Sequence, residues 1–384
     1  MREFIKYEEY QFKTNVEISY FSSSNNGVSE YMAIIIGNDS SLSFDDQLNN
    51  INKSFEQLHH RCYGAKSVFA RFFLSDAANQ SALVKEAVKD YMYCSFSIIG
   101  QPPLNGTKVA LLVYLQSSMQ SECYLDGLIE QKHGSYKHYW GASSFNRAAN
   151  SEYQMRLLFN EYVMQLAHKG CTLYNNCIRT WIFVQNIDVN YNMVVKARNE
   201  VFASQNLVTD SHYIASTGIE GSNGDPSVSV QFDTYAIDGL MDGQIKYLYA
   251  SDHMNRTSDY GVSFERGTSV IYGDRVHTFI SGTASINHKG EILFKGDVLK
   301  QSERACENVE ALLTEAECSF DDVMHLIVYM RDIADYTKVN SYFEERFPSI
   351  PKVYVLAPVC RPGWLVEIEC MAIKDNSIDM FDNF

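Results

Sequence analysis

Near the end of the chain, Cys360-Arg361-Pro362-Gly363-Trp364-Leu365-Val366-Glu367-Ile368-Glu369 gathers a thiol, a guanidinium and two carboxylates in one short stretch. The Pro-Gly pair predicts a turn that runs into a strand. Glu367 stands at the start of that strand among Val, Leu and Trp. A carboxylate held against apolar neighbours loses hydration, which raises its pKa and suits it to general acid or base work. A plainer reading uses the same residues. Glu367 and Glu369 are two apart, share one strand face, and on a half-buried strand would both face water. This stretch alone leaves both readings open.

Other residue types that could do chemistry form no set. His59-His60 lies on a helix with no further ligand at metal spacing. The nine cysteines are scattered without Cys-x-x-Cys pairs, which favours free thiols in a reducing compartment over a disulfide framework or a zinc site. Gly218-Ile219-Glu220-Gly221-Ser222-Asn223-Gly224 is rich in glycine but carries no P-loop Lys-Ser/Thr, so it is expected to be a loop. Neither a metal nor a cofactor is expected.

The 384 residues are 46% hydrophobic and 21% charged, which is enough to build ordinary packed cores. The net charge of −15 and the lack of a Lys/Arg cluster argue against a nucleic-acid partner. Met1-Arg2-Glu3-Phe4-Ile5-Lys6 has no apolar signal core, and no run of about 18 apolar residues occurs, so a cytoplasmic protein without a membrane partner is expected.

The elements that must position Glu367 recur three times along the chain. The order is a strand ending in glycine, an amphipathic helix, a strand, a second helix, a turn and a last strand. In the first pass these are Tyr31 to Gly37, a helix through Leu48, Ile51, Phe55 and Leu58, Val68 to Leu74, a helix from Ser81, the turn at Pro102-Pro103, and Val109 to Leu115. In the second they are His138 to Gly141, a helix through Met155, Leu158, Phe159 and Tyr162, Thr180 to Val184, Tyr191 to Phe202, and Val228 to Asp233. In the third they are Val276 to Gly282, a helix through Ala305, Val309 and Leu312, His325 to Met330, Val339 to Phe347, and the Glu367 strand. The fold class is therefore α+β, in three units of roughly 128 residues, each a sheet with helices on one face. The expected boundaries are 1–120, 121–240 and 241–374, followed by a loosely held acidic tail, 375–384. The uncovered sheet faces would meet in a central barrel-like core.

Phe279-Ile280-Ser281-Gly282, Gly296-Asp297, Gln301, Asn308-Val309, Val328-Tyr329-Met330-Arg331-Asp332, Val339-Asn340, Tyr342 and Val366-Glu367-Ile368-Glu369 fall in the order of the Rid (YjgF-type) imine deaminases, which the third unit resembles. That family forms trimers with pockets between subunits, so the resemblance implies an intramolecular pseudo-trimer of three tandem Rid-like units. Tyr260-Gly261-Val262-Ser263-Phe264-Glu265-Arg266, Ser281-Gly282-Thr283-Ala284-Ser285, Cys360-Arg361, Arg179-Thr180-Trp181 and Ala215-Ser216-Thr217-Gly218-Ile219 are similar to chorismatases, Rid-fold enzymes that remove the enolpyruvyl group of chorismate. Rid deaminases hold an amino-acid carboxylate with an arginine in a Pro-Ala-Arg stretch. Here the sequence is Pro351-Lys352-Val353, a departure from plain imine hydrolysis.

The resemblance implies a chorismate-cleaving, pyruvate-releasing enzyme with Glu367 as the acid. Protonating the enol-ether methylene makes an oxocarbenium ion that water or a hydroxyl traps. The matching strand position holds Ala110 in the first unit and Gln231 in the second, so one complete site per chain is expected, in the third unit with the second as its wall. The first unit would be degenerate. A dianionic substrate needs cationic forks, and Arg361, Arg266, Arg179 and Arg147 are the candidates. Tyr260 joins the substrate-binding set. Cys360 together with Gly273 goes, in the resemblance, with enzymes that yield a hydroxybenzoate, here 3-hydroxybenzoate, with 4-hydroxybenzoate or a dihydroxycyclohexadiene carboxylate as the other outcomes. The alternative function is a Rid-like enamine or imine deaminase, or a protein that binds a small carboxylate. Tripling makes a monomer sufficient, and association into a homo-oligomer is left open.

Overall fold

The computed structural model describes residues 2–24, 27–62, 64–123 and 127–384. The first unit runs β1 (Arg2–Glu9), β2 (Thr14–Ser22), β3 (Ser29–Gly37), α1 (Phe44–Arg61), β4 (Lys66–Leu74), α2 (Ala77–Val88), β5 (Ser95–Gly100) and β6 (Val109–Gln116). The second runs β7 (Gln120–Cys123), β8 (Leu128–His133), β9 (Tyr136–Phe145), α3 (Ser151–His168), the single turn α4 (Leu173–Asn176), β10 (Cys177–Val184), α5 (Ile187–Ser204), β11 (Ala215–Glu220) and β12 (Val230–Asp238). The third runs β13 (Ile245–Leu248), β14 (Gly267–Ile271), β15 (Arg275–Ala284), α6 (Val298–Glu315), β16 (Val323–Met330), α7 (Tyr336–Arg346), β17 (Lys352–Leu356) and β18 (Val366–Asp375).

Each unit closes one six-stranded sheet, and the three strand orders are equivalent: β1-β2-β3-β6-β4-β5, β7-β8-β9-β12-β10-β11 and β13-β14-β15-β18-β16-β17. All pairings are antiparallel except the last in each sheet, where β5, β11 and β17 follow a helical crossover and lie parallel to β4, β10 and β16. Those three short edge strands, and the strands that precede β3, β9 and β15, lie outside the repeat expected from hydrophobic periodicity. They are short or polar, so alternation marks them weakly. Of the three strands expected to end in glycine only β3 does, since β9 runs past Gly141 to Phe145 and β15 past Gly282 to Ala284.

The strand carrying each candidate position is central in its sheet, and in the first two units its two faces serve different cores. In β6, Val109, Leu111, Val113 and Leu115 pack against Leu48, Ile51 and Phe55 of α1 and Val84 of α2. Ala110, Leu112 and Tyr114 face the other way, into a cluster shared by all three units with Trp140, Trp181, Tyr235 and Phe279. Glu367 and Glu369 share one face of β18, as the two-residue period requires, but that face is the inner one. Both are buried, at 5% and 3% exposure, which removes the reading in which they face water.

Register fixes the correspondence between units. Ala110, Gln231 and Glu367 pair with Phe73, Phe183 and Tyr329, and two residues on Leu112, Asp233 and Glu369 pair with Arg71, Trp181 and Ile327. The second-to-third unit seam is tied by β11. The Ser216 N–H donates to Ser281 Oγ at 2.9 Å, the Glu265 N–H donates to the Ile214 carbonyl at 3.0 Å, and the Glu220 N–H donates to the Pro358 carbonyl at 3.1 Å.

The acidic tail is not loose. Phe384 is 1% exposed and sits among His133, His138, Tyr272 and His277, with its N–H on Asp274 Oδ1 at 2.8 Å. Charge count along 375–384 misses this because one aromatic ring decides the placement. The stack closes the end of the shared core near Glu30, where His277 and Arg275 outweigh burial and hold the Glu30 carboxyl well below the usual carboxylate range. Phe384→Ala is expected to destabilise the chain by about 3 kcal/mol. Denaturant unfolding of the full-length protein checks this, and a neutral effect would contradict the closing role.

Candidate active site

The candidate site lies on the seam between the second and third units, a cavity of about 170 Å³. Glu367 enters it from β18, and Gly282 and Ala284 of β15 line it beside that carboxyl. A β-carbon at position 282 would come within 2.0 Å of Glu367 Oε1, so a glycine two residues short of the end of β15 makes room for the acid. Gly218 does the same across the seam, where a β-carbon would meet the Tyr191 ring at 2.8 Å. The loop around Cys360, Arg361 and Trp364 forms the third wall. Gln301 of α6 fixes that loop, accepting from Leu365 N at 2.9 Å and donating to the Gly363 carbonyl at 3.0 Å.

Helix α5 supplies the wall from the second unit through Tyr191, Asn192, Val195 and Arg198. Glu220 holds its N-terminus in place by accepting the N–H groups of Asn186 at 2.9 Å and Ile187 at 2.7 Å. Asn199 then ties the helix to the 255–266 loop through the Gly261 carbonyl at 3.0 Å and Ser263 Oγ at 2.6 Å.

Burial, and after it the neighbouring Glu369, pushes the Glu367 carboxyl up to about 8, against the pull of Arg266 and Arg179. It therefore holds its proton at neutral pH and can donate it. Glu369, one pleat along, behaves oppositely. Burial would raise it, but Arg179 and Arg71 outweigh that and hold it low. Two carboxylates on one strand face are thus separated into an acid and an anion. Burial and the nearby Glu367 push the Cys360 thiol up to about 12, so it is an uncharged group in the wall and not a thiolate.

The arginines divide. Arg266, 4% exposed, lines the cavity and anchors its Nη2 on the Asn255 carbonyl at 3.1 Å. Arg361 lines it too, over the Trp364 ring at 5.4 Å. Arg179, expected as a substrate clamp, is not in the cavity wall. Its guanidinium is engaged behind the acid, with Glu369 at 3.1 Å, Thr217 Oγ1 at 2.5 Å and the Thr180 carbonyl at 3.2 Å.

Arg147 lies in a different cavity, on the seam between the first and second units, paired with Asp225 at 2.6 Å. That cavity is the counterpart of the candidate site. In it Gln231 replaces the acid, and its amide accepts from Asn223 at 2.6 Å and donates to the Ile98 carbonyl at 3.0 Å. Gly273 is also outside the site. It packs on Phe381 and Asn383, and its N–H donates to the Asp382 carbonyl at 2.8 Å. Tyr260 ends a turn of 3₁₀ helix, Thr257–Tyr260, next to the cavity residues Gly261 and Val262, and its side chain lies outside the described residues. Lys352 is remote as well, its Nζ bonded to the carbonyls of Phe347 at 2.9 Å and Ile350 at 3.2 Å. Because Leu326 pairs with Lys352 and the corresponding Thr180 pairs with Ser216, the position that faces this cavity is Ser216, across the seam.

Arg198 was missed by sequence reasoning. It is 1% exposed, lines the cavity, and its Nε and Nη2 have no hydrogen-bond partner among the described residues. A signal was present: the arginine sits on the buried stripe of an amphipathic helix with Val194, Ala197, Val201 and Phe202. No helix among the described residues is long and apolar enough to cross a membrane.

The Endoribonuclease L-PSP family model matches residues 268–374. A RutC family protein of Pyrococcus abyssi is 33% identical over 99 residues, which cover 25% of this chain and 78% of that protein. The 2-iminobutanoate/2-iminopropanoate deaminase of Homo sapiens is 31% identical over 100 residues, covering 25% of this chain and 72% of the relative. Among solved structures, a chorismatase superposes with a TM-score of 0.62 at 18% identity, covering 80% of this chain and 93% of that one, so the two share a fold.

The raised carboxyl carries a stability consequence. Below an ordinary value of 4.5 both folded and unfolded chains hold the proton; from there to about 8 only the folded chain does. The stability owed to this group therefore falls as pH rises through that window and is level above it. Glu367→Gln keeps the shape without the ionisation, so its Tm advantage over wild type is expected to grow across the window. Thermal unfolding over a pH series checks this, and a pH-independent difference would contradict it.

Proposed function

The chain belongs to the RutC family, and we propose that it cleaves chorismate, with Glu367 as the proton donor and pyruvate as one product. The observation that carries this reading is a protonated, buried carboxyl in a cavity that also presents the guanidinium groups of Arg198, Arg266 and Arg361. Chorismate carries two carboxylates, and forked cations are the side chains that bind such groups in a desolvated site.

Glu367 gives its proton to the methylene carbon of the enolpyruvyl group, whose C=C electron pair forms the new C–H bond. Positive charge develops on the ether carbon, next to the carboxylate that Glu367 has become. A hydroxyl adds to that carbon, the bond between the ether oxygen and the former enol carbon breaks, and pyruvate leaves. If water adds, the other product is a dihydroxycyclohexadiene carboxylate. If the neighbouring ring hydroxyl adds, its own C–O bond to the ring then breaks and the ring carbon that bore the ether loses its proton. Pyruvate thus carries off the hydroxyl oxygen, and aromatisation gives 3-hydroxybenzoate with no net water consumed. 4-Hydroxybenzoate instead requires the ring carbon–ether oxygen bond to break, with loss of the proton on the hydroxyl-bearing carbon. We assign 3-hydroxybenzoate, with the neutral Cys360 thiol as the wall group that favours the ring hydroxyl over water.

The structure of a chorismatase supports the overall frame, and Ser216 in place of a carboxylate-binding arginine weighs against plain imine hydrolysis. The third unit is catalytic in this reading, the second supplies the α5 wall, and 1–120 carries no site of its own.

Purified protein mixed with chorismate is expected to release pyruvate, at a rate that falls as pH rises through about 8 because the acid is lost. Glu367→Gln should lower kcat by about 10²–10⁴-fold. No pyruvate from wild type, with hydrolysis of 2-aminoacrylate instead, would replace this reading with the deaminase. Chromatography of the aromatic product identifies it, and a Cys360→Ala enzyme with an unchanged product removes the role given to the thiol.

Arg198→Met should lower kcat/KM about 10–100-fold, mainly through KM, the loss of a charged hydrogen bond to substrate. An unchanged KM would show that Arg198 does not touch the substrate.

A further inference from the structure

Behind Glu367, on the side away from the cavity, lies a buried charge cluster to which all three units contribute. Arg71 of β4, from the first unit, is 1% exposed and reaches Asp233 of β12 at 2.9 Å and Glu369 of β18 at 3.9 Å. Arg179 of β10 meets the second oxygen of Glu369 at 3.1 Å, and Trp181 Nε1 donates to the first at 2.9 Å. Two cations face two anions. The Arg71 guanidinium also lies over Phe69, Trp181 and Phe183 at 5.3, 5.0 and 4.9 Å, which keeps water from screening it.

The cluster is wired to the cavity by contact. Arg179 donates to Thr217 Oγ1, which also accepts the Gly282 N–H at 2.9 Å, and Gly282 is the residue against which the Glu367 carboxyl lies. Glu369 is two residues from Glu367 on the same face of β18. Opening or unbalancing the cluster therefore changes the field and the fit at the acid.

We propose that Arg71, supplied by the first unit across the shared core, is a positioning residue for the Glu367 carboxyl and acts through Glu369, whose charge it balances together with Arg179. The inference rests on the reading of Glu367 as the proton donor and extends it to the unit with no site of its own. The charged groups around Glu367 are Glu369 on its own strand, Arg179 and Arg198 from the second unit, and Arg266 and Arg361 from the third; the Cys360 thiol beside it is neutral, as is the Tyr329 phenol beside Glu369. Around Glu369 they are Arg71, Arg179 and Asp233, while burial lowers His325 to about 4 and leaves it neutral. The direction of each change follows from these signs. Removing the Glu369 charge eases ionisation of Glu367, and removing the Arg71 charge hinders it.

The test titrates Glu367 directly in the full-length protein, by infrared difference spectra of its carboxyl band assigned with Glu367→Gln, and records pyruvate release against pH in parallel. Glu369→Gln is expected to move the midpoint, and with it the alkaline limb of the rate, down by about one pH unit, and Arg71→Met to move it up. Arg71→Lys should restore it, and Arg71→Met/Glu369→Gln should fall between the two single variants. A residue needed only for packing would not move the midpoint in opposite directions with opposite charges. If Arg71→Met does not fold, Glu369→Gln and Arg71→Lys still decide: an unmoved midpoint in Glu369→Gln, or a displaced one in Arg71→Lys, overturns the proposal. Wild type that titrates as described but releases no pyruvate would remove the chorismate reaction and leave this inference standing.

Discussion

The constraint on which this structure turns is that β18 presents two carboxylates to an interior closed on both sides. Sheet geometry places Glu367 and Glu369 on one face, and the pseudo-trimer makes that face the shared core. Each must then be compensated or neutral. Glu369 is compensated by two guanidinium groups and an indole N–H. Glu367, with its nearest cations a step removed and an anion beside it, keeps its proton instead. The difference between an anion and an acid arises within two residues, from which partners the neighbouring units bring to each.

The three units share a frame and differ where the frame meets the seams. At the acid position the side chains are Ala110, Gln231 and Glu367; at the next inward position they are Leu112, Asp233 and Glu369. Gln231 shows what a seam cavity becomes without the acid, since its amide is satisfied by Asn223 and the Ile98 carbonyl and nothing there is poised to give up a proton. The folds of the first two units do not depend on these positions, because the helix-facing residues of β6 and β12 pack their own cores. Inner-face chemistry can therefore change while the sheet stays intact.

Much of this was legible in the sequence because it is local. The glycine before the acid, the apolar neighbours of Glu367 and the two-residue period of β18 all lie within one strand pair. What was not legible crosses a seam. Arg179 is near Glu367 in space, but its direction is set by Glu369 and Thr217, which periodicity does not link to it. The departure at Lys352 does not bear on this cavity: the same strand position in the second unit, Ser216, is the one that looks into it. Arg198 was hidden by being a charged residue on a stripe otherwise read as apolar. The tail was misplaced because composition averages over ten residues what Phe384 settles alone.

Tandem linkage has a consequence for the chemistry allowed at the molecular axis. In a ring of identical subunits every axial residue meets two copies of itself, so a lone arginine there would confront like charge. Here the axis holds Arg71, Arg179 and His325 from three different strands, balanced by Asp233 and Glu369. Joining the copies in one polypeptide lifts the symmetry penalty and lets the centre of the molecule become an electrically heterogeneous place that no homotrimer could maintain.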